Sequence, residues 1–406
     1  MTTARGKAEI KVYGYRWVVL GVYVLNMFML QIFWICYAPI NRAAAAALGV
    51  SDNAIGQLSI IFMYIFIPLS VPASWAIDTW GFRKSMNLGV ILMGVFGMLR
   101  GVYANDYTLT LIMTIGIAIS QPLFLNSTTK MVANWFRLEE RATIIGVGGL
   151  FTLLGIAVGQ IATPLLLEAS GLRGTMLIYG IIGIVSALLF LVFAKDRPPT
   201  PAGHEEKALV LDGLKRILTM RDFYLLAFVF FVIYAIFNGI ATWVDVMLRP
   251  RGLDISEAGL IGGLLILGGM LGFVIFSSVS DRMRKRRPAV IVGALLSVPF
   301  LVLMAYASGF GGLAAVSFLL GLCVMGPIPV IFQYTTEICY PAPEGTSQGM
   351  LNIAGQIAVV GVNAMEWSNQ IWGSFTPSLL VFAAAMVIAA GLVSVMRESK
   401  LVQAAK

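Results

Sequence analysis

Aromatic side chains with polar neighbours occupy matching places in two apolar segments of the chain. Trp34 and Tyr37 lie in the first apolar segment, and Tyr234, Asn238 and Trp243 lie in another about 203 positions later. The faces of such rings attract organic cations and also accommodate planar apolar solutes. Indole and phenol groups need hydrogen-bond partners in an apolar environment. The pattern predicts that Trp34, Tyr37, Tyr234 and Asn238 face a binding cavity, with packing between helices as the alternative.

Few ionisable groups interrupt the apolar segments, and those that do are candidates for function. Arg100, Asp245 and Glu366 lie near the ends of three such segments. Asp245 and Arg249 are four positions apart, so they are expected to pair along one helix. Glu366, one helical turn after Asn363, is the stronger candidate for coupling to a proton, an ion or an amine. No acidic residue lies at the middle of a segment, which argues against obligatory proton coupling.

Two short charged segments, Asp78–Lys84 and Asp281–Arg287, lie 203 positions apart. In the first, Asp78 ends an apolar segment, Gly81 permits a tight turn and Arg83 begins the next segment. The spacing predicts that a carboxylate and a guanidinium face each other across the turn and act as a latch. Ordinary interfacial charges are the alternative.

The second copy predicts the same latch with Asp281 and Arg286, although it lacks the turn glycine. Glu140 and Glu344 also repeat, 204 positions apart, each four residues after an aromatic side chain. Both are assigned to the latch. Matching charged hairpins in two halves are typical of duplicated membrane units.

The candidate residues must be held by structural elements, and the composition predicts that these elements are apolar. Hydrophobic residues make up 59% of the chain, charged residues 12%, and the mean hydropathy is +0.87. Twelve apolar segments recur, six in each half, and most have the ~20 residues that span a bilayer. We therefore expect an all-α membrane protein with two pseudosymmetric six-helix bundles. Residues 1–194 form the first bundle, 195–221 a linker and 222–406 the second bundle.

The basic residues predict the orientation, since Lys and Arg favour cytoplasmic loops. All but five of the 28 Lys and Arg residues fall in alternate connections on one side; the exceptions are Arg42, Arg100, Arg173, Arg249 and Arg251. Both termini and the linker are expected in the cytoplasm of a protein of the plasma (cytoplasmic) membrane. The net charge of +8 is spread among these connections, which indicates contact with anionic lipid and no nucleic-acid partner.

The linker argues against enzymatic chemistry. His204 is the only histidine and lies among linker prolines, glycines and glutamates, where it is expected to be solvated. The three cysteines show no metal-ligand spacing.

Residues 209–220 have leucines on a helical period and are expected to lie as an amphipathic helix on the inner membrane surface. We expect no cofactor, no metal and no enzyme activity, and a monomer whose partners are a small-molecule substrate and lipid.

Small residues at helical spacing predict places where helix backbones approach closely. The motifs are Gly155–Gly159, Gly268–Gly272 and Gly345–Gly349. We expect these contacts to lie between the two halves.

The first hairpin, D-x-x-G-x-R-[KR], resembles the signature loop of the major facilitator superfamily. The stretches Trp34–Tyr37, Tyr64–Trp75, Ser120–Phe136 and Glu337–Gln356 resemble the feline leukaemia virus subgroup C receptor family. That family is associated with haem export and with uptake of choline and ethanolamine. The resemblance implies the twelve-helix fold and a transport activity.

The resemblance also implies a site. In choline-transporting members, aromatic rings and glutamines on helices five and eleven hold the cation. Trp34, Tyr234 and Gln356 match three of these positions, and Gln121 lies in the matching stretch of the fourth helix. At the fifth-helix glutamine position this chain has Leu153. Half of the polar clamp is missing, so a different solute is at least as well supported as choline.

The sequence is interpreted as that of a secondary transporter that moves a small organic solute, such as a choline-like amine, by alternating access. Transport of haem or another planar or anionic metabolite is the alternative. A non-transporting receptor or scaffold is a further alternative, although it would not need two matching latches.

Overall fold

The computed structural model describes residues 13–199, 211–340, 342 and 344–398, without the side chains at positions 138, 139, 142, 211–213, 344 and 345. His204 lies outside the described residues. Within them the chain is helical and has no strand. The all-α expectation is confirmed.

The helices follow one another with short connections. In the N-terminal half they are α1 (Arg16–Ile35), α2 (Asn41–Leu48), α3 (Asp52–Trp80), α4 (Phe82–Val102), α5 (Tyr107–Trp135) and α6 (Leu138–Phe193). A short linker helix follows, α7 (Leu211–Ile217). In the C-terminal half they are α8 (Arg221–Leu248), α9 (Ile255–Met283), α10 (Arg287–Tyr306), α11 (Phe310–Met325), α12 (Ile328–Cys339), α13 (Glu344–Ile357), α14 (Val359–Trp372) and α15 (Thr376–Val395).

Ten helical segments of the described chain are long and apolar enough to cross a membrane. One of them, α6, holds two expected spans because Gly171 has a φ of 66° and a ψ of 176°, which breaks the helix. Helices α13 and α14 have 14 residues each and meet at Ala358, so together they reach the length of one span. The twelve-span expectation is therefore confirmed.

Each half packs chiefly within itself. In the N-terminal half α6 packs against α1 and α4, and α5 packs against α3 and α4. In the C-terminal half α9 packs against α11, and α10 packs against α15. Contacts between the halves join α6 to α9 and α3 to α13 and α14. The central helices α1 and α8 present buried side chains from one end to the other.

The glycine motifs pack differently from the expectation. A Cβ on Gly155 would overlap a carbonyl of α1, and one on Gly268 would overlap a carbonyl of α11, so both contacts lie within one half. A Cβ added to Gly349 would meet no atom of another element within 4 Å. The close approach between halves is instead at Gly259, where a Cβ would lie 2.5 Å from the carbonyl oxygen of Gln160. Small-residue spacing marks a helix face but does not identify the helix that covers it.

The linker helix α7 is shorter than the predicted segment. Its Ile217 is fully buried and clusters with Phe223, Cys339 and Ala342. The helix therefore packs on the protein through this residue, since these side chains provide an apolar surface at the ends of α8 and α12.

Candidate functional site

The first span is interrupted beside the predicted aromatic residues. Helix α1 ends at Ile35, and the chain makes turns until α2 begins at Asn41. Pro39 lies within this break, lacks a backbone N–H and disfavours helix at the preceding residue. Irregular backbone at membrane depth is tolerated where it is buried in protein or lines a cavity. Trp34 lies just before the break and Tyr37 lies within it.

The indole of Trp34 is anchored to α3. Its Nε1 donates a hydrogen bond of 3.0 Å to the carbonyl oxygen of Ser59, and the Ser59 hydroxyl donates one of 3.1 Å to the carbonyl oxygen of Trp34. Trp34 is 5% exposed. These two bonds fix the orientation of the ring. The first of them gives the indole N–H the acceptor that it was expected to need in an apolar environment.

A row of aromatic rings runs from Trp34 into the C-terminal half. The centroids of Trp34 and Phe237 are 6.5 Å apart, and those of Phe237 and Tyr234 are also 6.5 Å apart. The row continues from Tyr234 to Phe230 over 4.3 Å and then to Phe332 of α12 over 5.2 Å. Phe237 is the ring that joins Trp34 to Tyr234. Its position 203 residues after Trp34 is the signal that identifies it.

Gln356 follows a glycine of α13 that packs on this aromatic row. The adjacent Gly355 packs so closely on the rings of Phe230 and Tyr234 that a Cβ there would lie 2.7 Å from the first and 3.1 Å from the second. Gln356 is 8% exposed, and its amide has no hydrogen bond to the part of the chain that the structure describes. The amide is therefore not committed to another group of the described chain.

The other predicted site residues are placed differently. Asn238 donates a hydrogen bond of 2.8 Å to the carbonyl oxygen of Tyr234 on its own helix. Gln121 is buried on α5, and its Oε1 has no hydrogen bond within the described residues. Tyr37 lies under the guanidinium of Arg100, 5.4 Å from ring centroid to Cζ, within the N-terminal half. The ring of Tyr37 thus contacts a neighbouring helix of its own half.

Arg100 is the buried residue whose structural importance the sequence did not show. It is 1% exposed and donates hydrogen bonds to the carbonyl oxygen of Phe33 over 3.0 Å and to Sγ of Cys36 over 3.2 Å. Among the described residues no carboxylate lies within 4.0 Å of its guanidinium. Its charge is balanced by the carbonyl end of α1, where the helix dipole is negative. Arg100 therefore holds the break in place.

The candidate coupling residues are hydrogen-bonded or paired with groups outside the aromatic row. Asp245 is fully buried and accepts a hydrogen bond of 2.9 Å from the backbone N–H of Arg42, which joins α2 of one half to α8 of the other. It also pairs with Arg249 over 3.3 Å, as the spacing predicted. Glu366 is 7% exposed and accepts a hydrogen bond of 3.2 Å from Gln370.

The first hairpin does not form the predicted ion pair. Gly81 has a φ of 89°, so the glycine turn is present. Asp78 lies 3.6 Å from Nζ of Lys130 on α5 and makes no ion pair with Arg83. The backbone N–H of Arg83 donates instead to the carboxylate of Asp196 over 2.9 Å. The turn places Arg83 at the start of α4 beside the chain that follows α6, while the long side chain of Lys130 reaches Asp78 from α5.

The second hairpin does form its ion pair. Arg286 binds Asp281 over 2.5 Å and Glu337 of α12 over 3.0 Å. Burial disfavours the charged form of Arg286, but the two carboxylates outweigh this effect and raise its pKa above the ordinary value. Arg284, with a φ of 49°, takes the left-handed conformation in this loop. All of these contacts lie within the C-terminal half.

The structure describes the side chain of only one of the two latch glutamates. Glu140 pairs with Arg16 over 2.7 Å, which joins α1 and α6 within the N-terminal half. Burial opposes ionisation of Glu140, but hydrogen bonds from Arg16 and from the backbone of Arg137 hold its pKa below the ordinary value. The side chain of Glu344 lies outside the described residues.

Comparisons with known proteins agree with this architecture. A family model described as Major Facilitator Superfamily matches residues 19–362. The chain is 28% identical to a Caenorhabditis elegans protein named uncharacterized MFS-type transporter C09D4.1, over 97% of this chain and 71% of the relative. It is 26% identical to human choline/ethanolamine transporter FLVCR2, over 86% of this chain and 70% of that protein.

Two further relatives are similar. Solute carrier family 49 member A3 of Xenopus tropicalis is 28% identical over 86% of this chain and 77% of its own length. The solved structure of a bacterial homologue of the human lysosomal transporter Spinster, inward-facing and unoccupied, has a TM-score of 0.77 and 16% identity. It covers 94% of this chain and 97% of its own, which shows the same fold.

Proposed function

The chain belongs to the major facilitator superfamily, and on this basis we propose that it carries an organic cation of the choline-like amine class by alternating access. The chain is a secondary transporter of a small organic solute. The amine specificity rests on one observation, the row of rings from Trp34 to Tyr234, on which the backbone next to Gln356 packs. Ring faces attract a desolvated cation, and the amide oxygen accepts a hydrogen bond from an amine or hydroxyl.

The charges around the row support a cation that needs no buried counter-ion. Asp245 is engaged by Arg42 and Arg249, and Glu366 lies on α14, beyond the end of α13 that carries Gln356. A single positive charge moving through the membrane potential gains about 2.3 kcal/mol per 100 mV, which can drive uptake without a second ion. We propose uniport of the cation. Ion- or proton-coupled transport is the alternative, and Glu366 is the residue that would carry the coupling in that case.

The mechanical parts of the proposal are the two bundles, residues 1–194 and 222–406, joined by a linker. They rock about the axis between α1 and α8, where Trp34 and Phe237 meet at positions 203 residues apart. The two hairpins are proposed to stabilise their own bundles on the inner side, with Glu140 and Glu344 as part of the same inner network.

The amine proposal is tested by ligand binding to purified wild type, Trp34→Phe and Trp34→Ala. A ring face contributes roughly 0.5–2 kcal/mol to a desolvated cation, so Trp34→Ala should weaken amine binding about three- to thirtyfold. Trp34→Phe should lose less. Trp75→Ala is the matched control, because that indole is 58% exposed on α3. Normal binding by Trp34→Ala, at unchanged thermal stability, would overturn the amine site.

Leu153 tests the choice between choline and another amine. It is 6% exposed at the position where the resemblance implies a glutamine. Leu153→Gln should raise affinity for choline and lower it for the native solute. Binding of a porphyrin or a planar anion in preference to every amine would favour the alternative substrate class.

The orientation proposed is cytoplasmic for both termini and the linker, in the plasma membrane, for a monomer. The bias of Lys and Arg supports the proposed orientation. A cysteine introduced as His204→Cys should resist a membrane-impermeant reagent applied to intact cells. Labelling of that cysteine from outside would reverse the orientation.

A further inference from the structure

A pocket of about 700 Å³ lies at the end of the molecule where α1 begins and where α5 and α6 end. Its lining residues are Tyr13, Tyr15, Trp135, Lys195, Arg197, Pro198 and Pro199. We propose that this pocket, called here the linker pocket, binds the phosphate headgroup of an anionic membrane lipid. None of its residues belongs to the aromatic row, so the site is independent of the transported solute.

The backbone of the linker pocket is held in place by Asp196. The Asp196 carboxylate accepts a hydrogen bond of 2.9 Å from the N–H of Arg83, and its carbonyl oxygen accepts one of 3.1 Å from the Asn134 side chain. Asp196 is thus bound to the ends of α4 and α5, while both of its neighbours, Lys195 and Arg197, line the pocket. The acidic side chain is kept out of the pocket and two cations are placed in it.

The chemistry of the lining selects an anion with oxygen acceptors. Lys195 Nζ lies 4.4 Å from the centroid of the Tyr15 ring, and that ring lies 6.3 Å from the Trp135 ring. Trp135 is 4% exposed, and within the described residues its Nε1–H has no acceptor. A buried donor without an acceptor destabilises the protein, so a phosphate oxygen that reached this N–H would be favoured. Among the lining residues that the structure describes, no carboxylate competes for the cations.

The surroundings identify the source of the phosphate as lipid. Next to the lining residues in the chain, Trp17 is 54% exposed, Val192 is 68% exposed and Phe193 is 42% exposed. Large exposed apolar side chains at the end of a spanning helix lie against acyl chains and interfacial lipid. A headgroup in the linker pocket would therefore place its chains along the end of α6. Clusters of Lys and Arg beside spanning helices attract anionic lipid.

The test measures retention of phosphatidylglycerol by the full-length protein in nanodiscs, against phosphatidylcholine, by native mass spectrometry and thermal stability. The pocket variants are Lys195→Gln with Arg197→Gln, and Trp135→Phe, which removes only the Nε1–H. The control is Lys215→Gln with Arg216→Gln, an equal loss of charge at exposed positions of α7. Each cation near anionic lipid contributes about 1 kcal/mol, so loss of two should weaken lipid binding by the pocket pair roughly thirtyfold relative to wild type. The control pair should lose clearly less.

Trp135→Phe should bind severalfold more weakly than wild type with the pocket charges intact. Equal loss in the pocket pair and the control pair would show general surface attraction and overturn the proposal. Glycerol phosphate added to lipid-depleted protein distinguishes the two phosphate sources. If this soluble anion binds as tightly as the lipid does, the acyl chains contribute nothing, and the lipid assignment is overturned.

Discussion

The backbone N–H of Arg42 donates a hydrogen bond of 2.9 Å to the buried carboxylate of Asp245, 203 positions later in the chain. The carboxylate thereby caps the N-terminus of α2 in the other half, where the helix dipole favours negative charge. The contact lies at the end of the molecule opposite the charged hairpins. Asp245 is therefore the residue on which closure of that end is expected to depend.

Asp245→Ala should open this end. It removes the cap on α2 and leaves Arg249 without its partner, a loss of about 1–2 kcal/mol from the closed state. Spin labels at Ala47 and Ser256, exposed positions of the two halves, should show a larger population at long distance. Asp254→Asn is the control, because that residue caps its own helix α9. An unchanged distance distribution in Asp245→Ala would contradict the assignment.

Gly259→Ala should oppose the same closure by sterics. An added Cβ would lie 2.5 Å from the carbonyl oxygen of Gln160, a contact that forces α6 and α9 apart. The label pair at Ala47 and Ser256 should again report a longer distance, with reduced transport. Gly311→Ala is the control, since no atom lies within 4 Å of its added Cβ. If both variants behave like wild type, α6 and α9 do not limit closure.

Asp78→Asn should destabilise the N-terminal half. The Nζ of Lys130 lies 3.6 Å from the Asp78 carboxylate and also donates to the carbonyl oxygen of Ile77 over 3.0 Å. Loss of the negative charge leaves a buried ammonium at a cost on the order of 2 kcal/mol. A double-mutant cycle with Lys130→Met, measured by thermal unfolding, should show coupling. Additive effects of the two substitutions would assign the stability of this turn to other contacts.

Arg100→Lys should loosen the break after α1. A lysine keeps the charge but cannot present the two separate donors that reach Phe33 and Cys36. We expect a loss of about 1–3 kcal/mol in stability and faster hydrogen exchange at residues 36–40. Arg173→Lys, at an exposed position of α6, is the matched control. Wild-type exchange in Arg100→Lys would show that the break is held without the guanidinium.

The sequence by itself determined the fold and the general activity. Apolar segments long enough to cross a bilayer cannot be hidden in a soluble core of this size, and the repeat at 203 positions divides them into two halves. The same repeat predicted that Trp34 has a counterpart in α8. The membrane segments and the two halves follow from composition and periodicity, and the activity is implied by the resemblance of several stretches to a transporter family. None of these needs knowledge of a contact.

Only the tertiary structure decided which partner each polar group takes. Asp78 faces Lys130 although Arg83 is nearer in the chain, because α5 packs against α3 and brings the ammonium to the turn. The repeat relates the position of Phe237 to that of Trp34, and the structure shows that this ring joins Trp34 to Tyr234. Arg100 donates a hydrogen bond to the carbonyl oxygen of Phe33 at the end of α1. Such pairings arise from how helices rotate and cross, and a linear spacing specifies neither.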